Sequence, residues 1–201
     1  MIKFIYFDLG GVVIDNHKAH KEIAKMAGST PEQISDFFSV NWKKACEGAM
    51  DSVAYMKLLK DQFNAPHLSN DFVSVLTDAQ GFYEETHLLI EELAVDYKLG
   101  ILSNAEFGVI DALFAKKKIP NVAWHTIVES AQYNVVKPDP KIYEIAEKLA
   151  GVSADELFFI DDLEHNVDAA RARGWHGEVF DPHKPTESVK KIKSALRAHQ
   201  K

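Results

Sequence analysis

Four short polar segments stand out in the sequence because each follows, or lies close to, a run of apolar residues. They are Asp8, the pair Ser103–Asn104, Lys137 and the pair Asp161–Asp162. Three carboxylates that come together repel one another unless a cation or a proton lies among them. Mg²⁺ suits such oxygen ligands, since it prefers one or two carboxylates, waters and a substrate phosphate. With Lys137 and Ser103 as donors to the remaining phosphate oxygens and a carboxylate as nucleophile, the set indicates phosphoryl transfer.

Each of these residues lies at the end of a predicted strand or just before a predicted helix. The strands are expected at Lys3–Phe7, Leu99–Ser103, His125–Glu129, Leu157–Ile160 and Gly177–Phe180. Apolar strands that alternate with amphipathic helices imply a parallel sheet covered by helices on both faces. Ligands of such sheets bind at the carboxyl ends of the strands. The sequence therefore predicts that these polar side chains gather at one edge of the sheet.

A helical block interrupts this alternation after the first strand. The stretch from Asn16 to Gln80 contains no convincing strand, and its helices are predicted near residues 17–27, 31–39, 41–47, 52–63 and 69–79. The run Ser29–Glu32 (STPE) supplies a hydroxyl cap, a first-turn proline and an acid, which favour the start of a helix. Linkers near residues 14–18 and 80–87 would give the block hinge-like freedom.

The predicted fold class is therefore α/β: a Rossmann-like parallel sheet with helices on both faces and a small all-α cap inserted after the first strand. The core domain is expected to comprise residues 1–15 and 82–201, and the cap domain residues 16–81. The core helices are predicted near residues 85–96, 106–117, 139–150, 164–173 and 186–199.

Composition and charge restrict the possible partners. The 201 residues are 46% hydrophobic and 26% charged, which is typical of a globular protein, and the net charge is −7. That charge provides no overall positive field for a nucleic acid, and no apolar stretch approaches the ~20 residues that span a bilayer. The single cysteine, Cys46, cannot form an internal disulfide. We therefore expect a cytoplasmic protein without nucleic-acid or membrane partners, of undefined oligomeric state.

Four motifs, in this order along the chain, resemble those of the haloacid dehalogenase (HAD) superfamily. They are FDLGGVVID, LSN, VVKPDPKIY and FFIDDLEHNVDAA. The resemblance spans the whole α/β portion, with the helical block in the place of the family's small cap. It is closest to phosphatases similar to glucose-1-phosphate phosphatase and to the N-terminal domain of soluble epoxide hydrolase. It implies a HAD-like fold and a Mg²⁺-dependent phosphatase that acts on a small phosphorylated metabolite, with sugar phosphates among the candidates.

The resemblance also implies how the acidic motifs are used. Asp8 would attack phosphorus and form an aspartyl-phosphate. Mg²⁺ would be held by Asp8, the main-chain carbonyl of Gly10 and Asp162, and Asp161 would lie nearby. The first and fourth motifs would therefore share one metal ion.

The second and third motifs are implied to bind the phosphoryl group. Ser103 and Lys137 would donate to its oxygens, and Lys137 would also offset the acidic charge during catalysis. Asn104 would lie beside them and orient the phosphate or the leaving group.

Gly10 departs from the family pattern. In most phosphatases of the family, a second aspartate two residues after the nucleophile acts as general acid and then as base. Loss of such a group typically slows a reaction ~100- to 10,000-fold. Either the substrate has a leaving group that departs without much protonation, such as an anomeric or acyl phosphate, or Asp15, His17 or solvent substitutes for the missing acid.

Two other functions are compatible with this departure. The superfamily's 2-haloacid dehalogenases also lack the second aspartate, but they need no metal, and the pair Asp161–Asp162 argues against them. A non-catalytic phosphate-binding regulatory protein would have kept the pocket and lost the acid.

A transition-metal site is not predicted, because His17 and His20 have no evident third ligand. The stripe Phe37, Phe38 and Trp42 is predicted to form the core of the helical block.

Overall fold

The structure is a computed structural model, and it describes residues 1–199. Over that range the strands are β1 (Phe4–Phe7), β2 (Ile14–Asp15), β3 (Gly81–Phe82), β4 (Lys98–Ser103), β5 (Trp124–Glu129), β6 (Leu157–Asp161) and β7 (His176–Val179). Five of them form one parallel sheet in the order β5–β4–β1–β6–β7, and β2 pairs with β3 separately. The predicted α/β class with a parallel sheet is confirmed.

Helices precede, follow and connect these strands. They are α1 (Asn16–Ala27), α2 (Pro31–Cys46), α3 (Ser52–Phe63), α4 (Phe72–Ala79), α5 (Glu84–Leu93), α6 (Val109–Ala115), α7 (Ser130–Tyr133), α8 (Pro140–Ala150), α9 (Glu164–Ala172) and α10 (Pro185–Ala198). A short 3₁₀ turn covers Ala154–Glu156. In the part of the chain that the structure describes, no helix is long and apolar enough to cross a membrane.

The buried position of β1 at the centre of the sheet explains why an uninterrupted apolar run forms a strand here. Its four residues are all buried between β4 and β6. Successive side chains of a strand point to opposite faces, so Ile5 and Phe7 join one hydrophobic cluster while Phe4 and Tyr6 join the other. Because both faces are covered, the strand has no polar side, and its carboxyl end is held rigidly.

The helices α1–α4 lie in the chain between β2 and β3. These two short strands are the chain crossings, where the chain passes from the parallel sheet into the helical block and back. The antiparallel pairs Ile14–Phe82 and Asp15–Gly81 join the crossings that the sequence predicts as linkers. The division into core and cap domains, and the hinge-like freedom, stay predictions. The predicted core of the helical block is confirmed for Phe37 and Phe38, which are buried, whereas Trp42 is half-buried and packs against Phe38.

Two helix boundaries in the block differ from the prediction. The helices expected at 31–39 and 41–47 are one continuous helix, α2. Val40, which lies between the two expected helices, is 71% exposed and continues the helix. Inside that helix the Asn41 side chain donates to the carbonyl of Phe37, so it does not stop the helix. The helix expected from residue 69 begins instead at Phe72, because Asp71 caps it by accepting a hydrogen bond from the amide of Ser74.

Candidate active site

The three predicted carboxylates meet at the carboxyl edge of the sheet. Asp8 follows β1 directly, while Asp161 ends the adjacent strand β6 and is followed by Asp162. The parallel register pairs Phe7 with Ile160, so the residues after them lie side by side. One carboxylate oxygen from each of the three aspartates lies within 4.8 Å of the others. Residues that are more than 150 positions apart in the chain thus form one acidic group.

Lys137 is the ammonium of this group. It lies in the loop between α7 and α8 and is only 3% exposed. Its Nζ is 3.0 Å from Asp8 Oδ1 and 2.6 Å from Asp161 Oδ2. Burial alone would lower the pKa of Lys137, but the attraction of Asp161 and Asp8 raises it above its usual range. The side chain is therefore held as a cation between the two carboxylates.

One ammonium does not neutralise three carboxyl groups. Burial raises the pKa of Asp8 to about 6, with Lys137 opposing that rise and Asp161 adding to it. Burial and then repulsion by Asp8 and Asp161 raise the pKa of Asp162 to about 7. The charge that is left over, and a donor set made entirely of oxygen, fit a hard divalent cation such as Mg²⁺.

Gly11 lets the backbone come close to this acidic group. A Cβ on Gly11 would lie 2.2 Å from Oδ2 of Asp162, a distance that no side chain tolerates. The φ of Gly11 is also +78°, in the left-handed region that favours glycine. The second glycine of the FDLGG motif is therefore required by its contact with Asp162.

Asp161 is fastened by hydrogen bonds on both oxygens. Its Oδ1 accepts from the amide of Leu163 at 2.9 Å, and Asn166 Nδ2 donates to Oδ1 and Oδ2 at 3.0 and 3.1 Å. Together with the contact to Lys137, these bonds occupy the carboxylate of Asp161. The geometry favours Asp161 as the residue that positions Lys137, and the sequence did not single out Asn166 for this contact.

Ser103 and Asn104 lie at the end of β4, beside the group. Ser103 is buried, and its side chain hydrogen-bonds the carboxylate of Asp8. Asn104 bonds the main chain of Lys137 twice: its Oδ1 accepts from Lys137 N at 2.8 Å, and its Nδ2 donates to Lys137 O at 3.1 Å. Asn104 therefore holds the loop that carries Lys137. Direct contact of Asn104 with a substrate stays a prediction.

A cavity of about 850 Å³ opens over the acidic group. Its floor includes Asp8, Ser103 and Lys137, and its opposite wall comes from α1, α2 and the end of α4. That wall presents Asn16, His20, Ser35, Phe38, Trp42 and Gln80. Such a volume is suited to a small organic molecule. The sequence offered no signal for Asn16, Ser35 and Gln80, because their positions depend on how the helical block packs on the sheet. It assigned Phe38 and Trp42 to the core of that block and not to a cavity wall.

The structure separates the candidates for the missing acid. Asp15 caps α1 by accepting from the amide of Lys18 at 3.1 Å, and it does not line the cavity. His17 lines the cavity with an exposed side chain, and its ring lies 5.1 Å from that of His183. The exposed His165, which the sequence did not offer as a candidate, also lines the cavity. Over residues 1–199, the group of potential metal ligands comprises the three aspartates and no histidine.

A second pair of acids, Glu106 and Glu129, is buried outside the cavity lining. The two residues are 2% and 4% exposed, and each has one carboxylate oxygen without a hydrogen-bond partner. Burial, and then repulsion by Asp51 and Glu129, raise the pKa of Glu106 to about 7. The ionised form of Glu106 therefore opposes folding.

Glu106→Gln is expected to stabilise the protein above neutral pH. The folded state holds the proton of Glu106 more tightly than the unfolded state, so this contribution to stability is present at low pH and is lost as pH rises from 4.5 to about 7. The neutral amide should remove the loss and raise the free energy of unfolding by about 2 kcal/mol near pH 8. Urea denaturation across this range measures the effect, with the exposed Glu91→Gln as control. An equal pH slope in wild type and Glu106→Gln would contradict the expectation.

Comparison with known proteins identifies the family. Residues 2–174 match the haloacid dehalogenase-like hydrolase family. The chain is similar to an (S)-2-haloacid dehalogenase from Pseudomonas putida, with 23% identity over 87% of this chain and 82% of that protein. It is also similar to the pyrophosphatase PpaX from Listeria welshimeri, with 26% identity over 58% of this chain and half of that protein.

A solved structure shares the fold. A HAD family enzyme from Bacteroides thetaiotaomicron, determined in complex with magnesium and inorganic phosphate, superposes with a TM-score of 0.71. The two chains are 19% identical over 90% of this chain and 94% of that enzyme. The chain thus belongs to the haloacid dehalogenase-like hydrolases, as its four motifs predict.

Proposed function

We propose that this hydrolase is a Mg²⁺-dependent phosphatase of small phosphomonoesters that works through an aspartyl-phosphate on Asp8. The observation that supports the proposal most is the convergence of three aspartate oxygens within 4.8 Å of one another, with the Nζ of Lys137 3.0 Å from Asp8. This arrangement provides a nucleophile, a cation site and a fixed positive charge at the floor of one cavity. The magnesium and phosphate bound by the related enzyme from B. thetaiotaomicron agree with it.

The acidic group divides into a metal-binding part and a positioning part. Asp8, the main-chain carbonyl of Gly10 and Asp162 would hold Mg²⁺, with Asp161 nearby. Bound there, the ion supplies positive charge that offsets both the carboxylates and the phosphoryl oxygens. Asp161 keeps Lys137 beside Asp8 through its 2.6 Å contact.

The reaction begins when an oxygen of Asp8 attacks phosphorus. The new bond from Asp8 to phosphorus forms as the bond from phosphorus to the leaving-group oxygen breaks, and the leaving group takes the electron pair. Ser103 and Lys137 donate hydrogen bonds to the phosphoryl oxygens, and Asn104 holds the Lys137 loop. Water then attacks the phosphorus of the aspartyl-phosphate, releases Asp8 and yields inorganic phosphate.

The helical block completes the site in this proposal. Residues 16–81 act as a cap over a core of residues 1–15 and 82–201, and the cavity between them takes the organic part of a small phosphorylated metabolite. The cap excludes bulk water from the phosphoryl group. We also propose a cytoplasmic location, because Cys46 is buried as a free thiol and fits a reducing compartment.

A dehalogenase that uses Asp8 as nucleophile is the second candidate. It is favoured by similarity to the P. putida dehalogenase over 82% of that protein and by the glycine at residue 10. The acidic group disfavours it, since displacement of a halide by Asp8 needs no cation beside Asp162. A phosphate-binding regulatory protein without turnover is the third candidate.

A screen of phosphorylated metabolites with added Mg²⁺, including a short 2-haloacid, separates these candidates. We expect phosphate release that EDTA abolishes and that excess Mg²⁺ restores, because the carboxylates cannot accept a phosphoryl dianion without a cation. Halide release that is insensitive to EDTA would instead establish the dehalogenase. Phosphate and Mg²⁺ binding by calorimetry, without turnover of any compound, would establish the regulatory protein.

A further inference from the structure

The side chain of Asn16 fills the space that a side chain at residue 10 would occupy. A Cβ on Gly10 would lie 2.6 Å from Asn16 Nδ2 and 3.7 Å from Asn16 Cγ. Asn16 is the first residue of α1, and it lines the cavity together with Asp8 and Gly10. An amide group of the helical block therefore lies against the loop that follows the nucleophile.

Gln80 fixes the orientation of this amide. Its Nε2 donates to Asn16 Oδ1 at 3.0 Å, which leaves Asn16 Nδ2 as the atom directed at Gly10. Gln80 is itself buried, and its main-chain amide donates to the carbonyl of Leu76 at 3.0 Å. Asn16 directly follows β2 and Gln80, 64 residues later, directly precedes β3, so the bond between them joins both chain crossings beside the cavity.

We propose that Asn16 Nδ2 is the hydrogen-bond donor to the leaving group, and that the site therefore selects phosphates whose leaving group is stable as an anion. The inference rests on the proposed phosphatase function. A carboxamide N–H donates a hydrogen bond but does not release its proton. Among phosphomonoesters, the site thus favours those of acidic hydroxyl groups over esters of simple alcohols, and the same preference extends to acyl phosphates and phosphoanhydrides.

The step balances without a protein acid. As Asp8 bonds to phosphorus, the leaving-group oxygen keeps the electron pair of the broken bond and departs as an anion. Asn16 Nδ2–H stabilises that anion by a hydrogen bond, and the anion takes a proton from water only after it has left, if it takes one at all. Burial lowers the pKa of His20, which favours its neutral imidazole, and its ring packs against Phe38.

A series of substituted phenyl phosphates tests the inference. The logarithm of kcat/KM is measured against the pKa of the leaving phenol, with Mg²⁺ present, because kcat/KM reports the step that breaks the bond to the leaving group. We expect a steep dependence for the wild type. Asn16→Ala should lower kcat/KM roughly 10- to 100-fold for the least acidic phenols, and less for the most acidic ones, so that the slope becomes steeper.

Two variants complete the design. Asn16→Asp places an ionisable carboxyl at the same point, so we expect faster turnover of the poorest leaving groups and a new fall in rate as that carboxyl deprotonates. Asn70→Ala removes an exposed asparagine of the block that bonds Lys60 at 2.6 Å and should leave the slope unchanged. Thermal unfolding verifies that each variant is folded.

The outcomes distinguish this inference from the proposed function. Phosphate release by the wild type with a shallow slope, or an equal slope in Asn16→Ala, overturns the role of Asn16 and leaves the phosphatase intact. The role is also overturned if replacement of His17 or His165 by Gln steepens the slope and Asn16→Ala does not. Absence of phosphate release from every compound overturns the proposed function, and this inference falls with it.

Discussion

Asp8→Asn is expected to lower kcat/KM for a phosphomonoester by at least about 10,000-fold, because an amide cannot attack phosphorus. The substitution preserves the shape of the side chain. The amide oxygen can still accept from Leu9 N, which lies 2.7 Å from Asp8 Oδ1, and from Lys137 Nζ at 3.0 Å. The fold should therefore survive, and the loss of rate should reflect the loss of the nucleophile.

The control for this experiment is Asp168→Asn, which removes an exposed carboxylate of α9 that pairs with Arg171. Its activity should match the wild type. Circular dichroism and thermal unfolding show whether Asp8→Asn is folded, and mass spectrometry of the quenched wild-type reaction detects the phosphoryl group on Asp8. Normal turnover by Asp8→Asn would eliminate Asp8 as the nucleophile and with it the aspartyl-phosphate.

Lys137→Met is expected to abolish activity and to lower the free energy of unfolding by about 3–5 kcal/mol at neutral pH. The variant leaves Asp8 and Asp161 buried without their shared cation, and their repulsion is then uncompensated. Lowering the pH should reduce this loss of stability, because burial already raises the pKa of Asp8 to about 6, so its protonation at lower pH relieves the repulsion. Urea denaturation at about pH 5 and about pH 8 measures both effects.

The matched control is Lys141→Met, an exposed lysine of the nearby helix α8. It should change the free energy of unfolding by less than about 0.5 kcal/mol, as surface substitutions do. If the loss in free energy of unfolding of Lys137→Met does not depend on pH, it would point to lost packing of the lysine stem and not to unpaired charge. Full activity of Lys137→Met would remove Lys137 from the proposed mechanism.

The positions of the motif residues were predictable because they depend on local sequence. Apolar runs such as Phe4–Phe7 form buried strands wherever they occur, and a parallel sheet aligns the carboxyl ends of its strands. Asp8, Ser103 and Asp161 therefore had to share one edge. The predicted break within α2 was wrong, and the reason is again found in the local sequence. Neither Val40 nor Asn41 is a residue that stops a helix at this point.

The sequence by itself thus determined the sheet, the helical block and the edge at which the polar residues collect, because local periodicity and strand direction decide these features. Only the tertiary structure decided which side chains touch. The bond between Asn16 and Gln80 joins residues 64 positions apart, and Lys137 reaches an aspartate 24 positions away. The contact of Asn16 with Gly10 and the burial of Glu106 beside Glu129 likewise depend on how helices pack, and packing is set by the whole surface in contact rather than by any short segment.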